Sequence, residues 1–219
     1  MDYLTIVKKT WLKCGLTGAG PASVTSQVSM PGRIIGFVDD AYAFIQGQHT
    51  NWKFLWKKKT GSALTIGDSY YIPGDLDVAD LAVLSKLLIQ VSGEWAHVEV
   101  VKDEARASEF DNVPTDNARP TKLFILPNGA WQFNVPPDLA YPLVIEYYRV
   151  ADTLTVNASV PSFPADYHRA IIARAVIAYA QYDEDQTLER AATNDFSQML
   201  YRLECNQLPL MTFATSEFA

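Results

Sequence analysis

The sequence predicts an α+β fold in which N-terminal and C-terminal helices form a helical bundle with an inserted antiparallel β domain. Apolar residues recur at helical spacing in the first 59 residues and again after residue 160, whereas the region between them alternates with a period of two. Separated runs of helices and strands favour α+β over a parallel α/β sheet. We therefore predict a helical bundle from residues 1–59 and 160–208, a β-rich insertion at 60–159 and a flexible C-terminal docking tail at 209–219.

Composition and charge favour a folded protein that does not grip nucleic acid. The chain has 219 residues, 48% of them hydrophobic, which is enough for one large domain or two small ones. Its net charge of −7 disfavours phosphate binding, although an acidic surface suits a passage that DNA must traverse without sticking. The sequence shows no signal peptide and no apolar run of the ~18 residues that a membrane helix needs. We therefore expect no membrane partner, and free thiols at Cys14 and Cys205.

Two helices and a glycine-rich loop are predicted before residue 60. Asp2–Cys14 has apolar residues at helical spacing and an acid in its first turn. Gly15–Pro21 breaks this helix, and it is interpreted as a linker because it lacks the preceding strand and the lysine of a phosphate-binding loop. Ser29 is the expected N-cap of a longer helix, Pro31 lies in its first turn, and its apolar stripe extends to Trp56.

The segment Trp52–Lys59 combines three aromatic residues with four lysines. One interpretation is stacking on nucleic-acid bases together with phosphate contacts. The other places the aromatic residues in the core and the lysines at the C-terminus of a helix, where cations complement the helix dipole. We favour the second interpretation, and a contact with another subunit or with passing DNA stays open.

The region after Thr60 is predicted to contain three β-hairpins and a final strand, because its residues alternate in polarity between turn signals. The third hairpin is the clearest, since Asn128-Gly129 readily adopts the positive φ of a tight turn. A short helix at Asp77–Leu84, a charged helix at Asp103–Phe110 and a loop at Asp111–Pro120 interrupt the strands. The predicted strands are Ala63–Ile66, Tyr70–Ile72, Lys86–Val91, Glu94–Val101, Lys122–Leu126, Ala130–Val135 and Leu143–Val150.

Two helices are predicted after residue 160, and the first is apolar around most of its circumference. It spans about Pro164–Tyr182 with Ser162 as its cap, and the second begins near Asp183 and ends before Pro209. A helix this apolar needs more than one partner surface. Burial inside a larger bundle and contact with another subunit are both open. The candidate subunit-interface residues are Ile171, Ile172, Val176, Ile177 and Tyr179.

No catalytic, metal-binding or cofactor-binding residue is predicted, and the protein is not expected to be an enzyme. The histidines lack the ligand spacing of a zinc site, and no Gly-x-Ser-x-Gly motif is present. Paired carboxylates, such as Glu94 and Glu99, leave a cell-wall (peptidoglycan) hydrolase open as an alternative. A β-rich ligand-binding module at Thr60–Val150 is the other alternative. The further residues considered are His49, His97, His168, Asp39 and Asp40.

Several short motifs, taken in their order and spacing, resemble those of head-to-tail adaptors, the neck, connector or tail tubular proteins of tailed bacteriophages. The resemblance covers most of the chain, and Asp77–Pro120 is its least distinctive part. The matching motifs are Val38–Tyr42 with Ile45, His49–Phe54, Thr65–Pro73, Ile145–Arg149 with Leu154–Thr155, and Val160–His168.

This resemblance implies a structural virion protein that is assembled in the host bacterial cytoplasm and located in the neck between head and tail. It implies a ring of copies of this chain, usually a dodecamer, that binds the portal protein and a further tail or stopper protein. Such a ring helps to retain packaged genomic DNA and lets it pass through the lumen at ejection, without sequence-specific binding. A heterologous subunit contact closes into a ring of this kind. The candidate portal-docking residues in the C-terminal tail are Leu210, Phe213 and Phe218.

Overall fold

The computed structural model describes residues 1–102, 110 and 114–209, and these contain four α-helices and seven β-strands, which confirms the α+β class. The described residues of Met1–Leu55 and Ala151–Ala219 form one compact unit, and those of Trp56–Val150 form another. The helices are α1 (Tyr3–Lys13), α2 (Ser29–Gly47), α3 (His168–Tyr182) and α4 (Gln186–Gln207). The strands are β1 (Trp56–Ala63), β2 (Tyr70–Tyr71), β3 (Leu81–Val91), β4 (Glu94–Val101), β5 (Lys122–Ile125), β6 (Trp131–Phe133) and β7 (Pro142–Arg149).

In the first unit, α3 packs against α1, α2 and α4. Ten of its fifteen residues are buried, including three consecutive side chains at Ala170–Ile172. Removing apolar surface from water contributes about 25 cal/mol per Å². The burial of α3 by three other helices therefore accounts for its apolar circumference within a single chain.

The helix α2 is shorter than predicted, because the chain leaves the helix after Gly47, a residue of low helix propensity. A 3-10 turn follows at Lys53–Leu55. Trp52 is completely buried, its indole N–H donates to the Gln46 carbonyl oxygen at 3.1 Å, and its ring stacks on Phe54. The predicted core position is thus confirmed for Trp52. The three consecutive lysines, Lys57–Lys59, lie in β1, so their predicted position at a helix C-terminus is wrong.

Neither serine that was predicted as a helix cap has that role. Ser29 has a φ of 57°, and the N-cap position of α2 is Val28, which makes no side-chain bond to the helix. Ser162 does not cap α3, whose N-cap residue also makes no side-chain bond. Aspartates cap the other two helices, since the carboxylates of Asp2 and Asp185 accept hydrogen bonds from backbone N–H groups in the first turns of α1 and α4.

The second unit is built on a seven-stranded sheet of the described residues, in the order β1-β7-β3-β4-β5-β6-β2. The predicted hairpins β3–β4 and β5–β6 are confirmed, and Gly129 has the expected positive φ, 81°, in the turn between β5 and β6. The predicted hairpin within Ala63–Ile72 is wrong, because β1 pairs with β7 and β2 pairs with β6. The predicted helix at Asp77–Leu84 is also wrong, since β3 begins at Leu81.

One strand pair departs from the predicted antiparallel arrangement. Glu99–Val101 of β4 and Lys122–Phe124 of β5 pair in parallel. Parallel neighbours require a long connection instead of a tight turn, and here residues 102–121 connect them. This connection contains the predicted helix at Asp103–Phe110 and the predicted loop at Asp111–Pro120. Residues 103–109 and 111–113 lie outside the described residues, so the helix stays a prediction.

The core of the second unit includes alternating residues of two neighbouring strands. Leu87 and Ile89 of β3, and Leu143 and Ile145 of β7, are completely buried. A spacing of two places each pair on one face of its strand. In the antiparallel register Leu87 lies opposite Ile145 and Ile89 lies opposite Leu143, so the two strands share one apolar face.

A polar junction connects α2 to the segment that leads into α3. The Tyr42 hydroxyl donates to the Asp152 carboxylate at 2.5 Å and accepts a hydrogen bond from the Ser162 backbone N–H at 3.0 Å. The side-chain amide of Gln46 bonds the backbone C=O and N–H of Asp152 at 2.9 and 3.1 Å. Burial, and then the hydrogen bond to Asp152, raise the pKa of Tyr42 to about 12, so the hydroxyl remains a donor at neutral pH. These four residues are called the polar junction below.

Replacing Tyr42 with phenylalanine keeps the ring and removes the hydroxyl from the polar junction. We expect the free energy of unfolding to fall by about 1–3 kcal/mol, because Asp152 and Ser162 each lose a hydrogen-bond partner. Equilibrium unfolding in urea measures this loss. Tyr182→Phe is the matched control, since Tyr182 is half exposed and its hydroxyl makes no hydrogen bond within the described residues. Equal losses in the two variants would contradict the role of the junction.

His168 predicts a dependence of stability on pH. Its side chain is buried, its Nε2 lies 3.0 Å from the Phe163 carbonyl oxygen, and its Nδ1 lies 2.9 Å from the Met1 amino nitrogen. Burial lowers the pKa of His168 below its ordinary value of 6.5. Because the unfolded chain then binds the proton more readily, the stability contributed by neutral His168 is present above pH 6.5 and is lost as the pH falls from there toward the folded pKa.

This prediction is checked by urea unfolding of the wild type and of His168→Gln between about pH 7.5 and 5. We expect the free energy of unfolding of the wild type to fall more steeply with decreasing pH than that of the variant. Parallel pH profiles would show that His168 does not cause the dependence. The comparison cancels the titration of other groups, including Asp39, whose pKa is raised by burial and acts in the opposite direction.

Candidate assembly surface

A groove runs along α3 between α1 and α4 in the first unit. It consists of two adjoining cavities of about 310 and 480 Å³, and the side chains of Lys13 and Arg169 line both. This surface is called the α3 groove below. Its other main lining residues are Lys9, Leu12, Ile172, Val176, Leu188 and Ala192.

An ion cluster divides the two parts of the α3 groove. The Asp195 carboxylate accepts hydrogen bonds from Lys13 Nζ at 3.0 Å and from Arg169 Nε and Nη2 at 3.2 and 3.1 Å. Burial opposes ionisation of Asp195, but the hydrogen bonds and charges of Lys13 and Arg169 lower its pKa overall. Exposed pairs of this kind stabilise a fold by no more than about 1 kcal/mol. The main effect of the cluster is therefore to hold two cations at the edge of the groove, with Lys9 close by.

Apolar side chains form the floor of the α3 groove beneath this charged rim. Ile172 and Val176 are almost completely buried, whereas Leu12 at the edge is 63% exposed. Leu12 and Ile172 line the same cavity, so apolar surface is open to solvent there. The groove can accept an apolar or aromatic side chain accompanied by carboxylates. Sequence reasoning selected Ile172 and Val176 but missed Lys9, Leu12 and Asp195, because Leu12 lies off the apolar stripe of α1 and pairing of ions between helices has no local signal.

The structure separates the five residues that were predicted to form a subunit interface. All five are buried within the chain, with exposed fractions of 6% or less. Ile172 and Val176 lie in the floor of the α3 groove, whereas Ile171, Ile177 and Tyr179 do not line it. The interface role of these residues stays a prediction. The candidate portal-docking residues Leu210, Phe213 and Phe218 lie outside the described residues.

The end of α3 presents a surface of the opposite charge. Tyr182 is 51% exposed, and the Arg33 guanidinium carbon lies 3.9 Å from its ring centroid. Three acids, Asp183, Glu184 and Asp185, follow Tyr182 in the turn to α4. Glu184 has a φ of 58°, which turns the chain sharply, and Asp185 caps α4. The segment Tyr182–Asp185 is called the acidic corner below.

The three consecutive lysines of β1 are paired with acids of the second unit. The distances from Nζ to the carboxylate oxygen are 2.6 Å for Lys57–Asp80, 3.5 Å for Lys58–Glu146 and 3.2 Å for Lys59–Asp77. Phosphate groups would have to compete with these carboxylates. Trp52 is completely buried and cannot stack on a base. The nucleic-acid interpretation of Trp52–Lys59 thus loses one of its three stacking residues, and three of its four lysines have acidic partners.

The carboxylate pairs considered for hydrolysis do not converge in the described residues. Glu94 and Glu99 are separated by an odd number of positions in β4, so their side chains point to opposite faces of the sheet. Asp39 accepts a hydrogen bond from the Tyr3 hydroxyl, and burial raises the pKa of this carboxyl group. The neighbouring Asp40 is exposed. This geometry gives no support to a two-carboxylate mechanism.

The histidines occupy three separate environments. His49 Nε2 lies 3.0 Å from a carboxylate oxygen of Glu204, His97 is exposed on β4, and His168 is buried at the start of α3. Within the described residues no group of three or more His, Cys, Asp or Glu side chains is placed to hold a metal ion.

Both cysteines are free thiols, as predicted. Cys14 is buried and Cys205 is exposed. Burial, with a smaller contribution from the charge of Asp183, raises the pKa of Cys14 to about 12. None of the helices in the described part of the chain is long and apolar enough to cross a membrane.

The second unit contains a cavity of about 730 Å³ beside β3 and the turn between β5 and β6. Apolar residues such as Leu81, Val83 and Phe124 form most of its lining. Among the described residues, Lys102 and Asn128 supply its polar side chains. Small-molecule sites orient their ligand with several convergent polar groups, so two such groups give little support to a sugar-binding or peptide-binding module.

Comparison with known protein families identifies a match to this chain. A family model described as SU10 adaptor protein matches residues 1–209 and so spans both units. No curated protein matches the chain. The match includes the α3 groove and the acidic corner, and it covers nearly the whole sequence. The chain therefore belongs to the SU10 adaptor protein family, whose members are structural head-to-tail adaptors of bacteriophages.

Proposed function

We propose that this protein forms a ring beneath the portal of a phage head, most simply a dodecamer. In the virion neck, the ring helps to retain the packaged genome, provides the platform for a tail or stopper protein and lets DNA pass at ejection. Assembly takes place in the cytoplasm of the host bacterium. The observation that carries this proposal is the match of the adaptor family model to residues 1–209, which leaves no separate domain of the described chain to account for.

The physical properties of the chain support a ring through which DNA moves. The chain divides into two compact units. In this proposal the four helices of the first unit form one bundle that supplies the wall, and the second unit is an inserted β domain. Ile172 and Val176 contribute to the subunit interface from the floor of the α3 groove, with Ile171, Ile177 and Tyr179 supporting them from inside the bundle. The net charge of −7 keeps the genome from adhering as it passes.

Mixing the purified chain with the portal protein of its virus tests the proposal directly. We expect the 24.4 kDa chain to load onto the portal. A dodecamer adds about 293 kDa, twelve times the mass of one chain. Light scattering coupled to size exclusion, or native mass spectrometry, measures the added mass. Bovine serum albumin in place of the adaptor controls for nonspecific uptake, and an adaptor that stays apart from the portal would refute the proposal.

The C-terminal segment gives a second test. We propose that Leu210, Phe213 and Phe218 dock on the portal, because an apolar segment that orders on binding can wrap a partner surface. A chain ending at Pro209, and the full chain carrying Phe213→Ser and Phe218→Ser, should both keep the thermal unfolding midpoint of the wild type but load poorly onto the portal. We expect a loss of at least tenfold in apparent affinity, about 1.4 kcal/mol.

The matched control is a full chain with Thr215→Ala and Ser216→Ala, which should load normally because no apolar side chain is removed. Undiminished loading of both the truncated and the Phe-substituted chains would remove the docking role of the tail. It would leave the adaptor function itself intact, since that is decided by the loading of the wild type.

A further inference from the structure

The first unit exposes two surfaces of complementary chemistry. The α3 groove has an apolar floor and three cations, Lys9, Lys13 and Arg169, of which the last two share one carboxylate. The acidic corner has one exposed aromatic ring, Tyr182, and three consecutive acids. The groove therefore carries an excess of positive charge, and the corner carries an excess of negative charge even with the Arg33 guanidinium over the Tyr182 ring.

We propose that the acidic corner of one copy docks in the α3 groove of the next copy, which assigns the two faces of the subunit contact. This inference rests on the proposed ring and specifies its interface. Tyr182 covers the exposed side of Leu12, and Glu184 faces Lys9. An aromatic anchor at the centre of a contact, with charged residues at its rim, is typical of protein interfaces.

The positions of the two surfaces permit a head-to-tail contact. Arg169 at the groove and Tyr182 at the corner are thirteen residues apart on α3. In an α-helix this spacing corresponds to about 20 Å along the axis and about 140° around it. One copy can therefore use both surfaces at once, with a different neighbour at each. Such heterologous contacts form closed rings when the rotation per subunit divides the circle.

The charges on the two surfaces are complementary, and they make the contact sensitive to salt. Within the described residues Lys9 forms no ion pair, and its Nζ lies 3.1 Å from the Met1 sulfur, so it is available to a carboxylate. The net charge of the groove rim is positive, because Asp195 balances only one of Lys13 and Arg169. Partly exposed ion pairs are screened by salt, so the contact should weaken as ionic strength rises.

Charge reversal in the full chain tests this contact on the portal. Lys9→Glu and Glu184→Lys each place like charges against each other and should lower the affinity of copies for the growing ring at least tenfold. The chain carrying both substitutions restores an opposite pair at every interface, and its loading should return to within about threefold of the wild type. Lys86→Glu in the second unit is the matched control and should load normally.

The outcomes of charge reversal separate the possible occupants. Loss by both single variants with rescue by the double variant supports the proposal. Loss by Lys9→Glu alone would mean that the groove binds the portal or another partner, and it would overturn the proposal. Loading of both single variants at the level of Lys86→Glu would overturn it as well. Circular dichroism confirms that each exposed substitution leaves the fold intact.

Cysteine cross-linking tests the same contact without the portal. All chains carry Cys205→Ser, and Cys14 stays because burial keeps its thiol inaccessible and raises its pKa to about 12. Leu12→Cys is introduced in one chain and Glu184→Cys in another. A concentrated mixture of the two should form a disulfide dimer at least tenfold faster than either chain alone. Equal rates in the mixture and in the separate chains would overturn the proposed contact.

The two experiments distinguish failure of the contact from failure of the adaptor function. A wild-type chain that loads while charge reversal has no effect refutes only the contact. A wild-type chain that ignores the portal refutes the ring on the portal, and cross-linking then decides whether the groove and the corner meet. Cross-linking that depends on mixing would support the contact in that case too.

Discussion

The burial of α3 is the constraint on which the first unit depends. An apolar helix of this length cannot remain in water, and no single neighbour can cover its circumference. The helices that pack on α3 come from two parts of the sequence. In the chain, α1 and α2 precede the second unit, and α4 follows it. The first unit must therefore join two segments that lie far apart in the sequence. The polar junction of Tyr42, Gln46, Asp152 and Ser162 connects them, because it links α2 to the segment that leads into α3.

The α3 groove follows from the same constraint. Three helices around a fourth leave a gap wherever two of them do not meet, and here the gap opens between α1 and α4. The Lys13–Asp195 ion pair spans it, and Arg169 of α3 joins from below. Solvent therefore reaches a strip of the most apolar helix, at a place where Asp195 holds Lys13 and Arg169 together and Lys9 lies close by. A surface with this composition is complementary to an acidic segment that carries an aromatic ring.

Periodicity predicted the elements of this fold better than their partners. Helical spacing gave α1, α3 and α4, and the Asn128-Gly129 turn gave the β5–β6 hairpin, because these signals are local. Alternation cannot show that β1 pairs with β7 or that β4 and β5 are parallel, since these strands are distant in sequence. The predicted apolar stripe of α2 extends to Trp56, because Trp52 and Leu55 are buried after the helix has ended and their spacing of three resembles that of a helical face.

The candidate surfaces were likewise predictable only where the signal is local in sequence. The apolar character of α3 predicted Ile172 and Val176. The sequence around Lys13 gives no indication of its ion pair with Asp195, which lies 182 positions further along the chain. The residues adjacent to the β1 lysines in sequence favour a helix C-terminus, whereas the acidic partners of these lysines come from other strands and loops. The hydroxyl of Tyr42 likewise finds its partners through the fold and not through any nearby residue.

The first unit is discontinuous in sequence, with residues 1–55 and 151–209 on either side of the second unit. The chain leaves the first unit after Leu55 and returns to it at Ala151. A pulling force applied to the N-terminus and to the end of α4 therefore acts across the first unit, and it reaches the sheet of the second unit only after the helices have come apart. The sheet is shielded from such tension for as long as the packing around α3 holds.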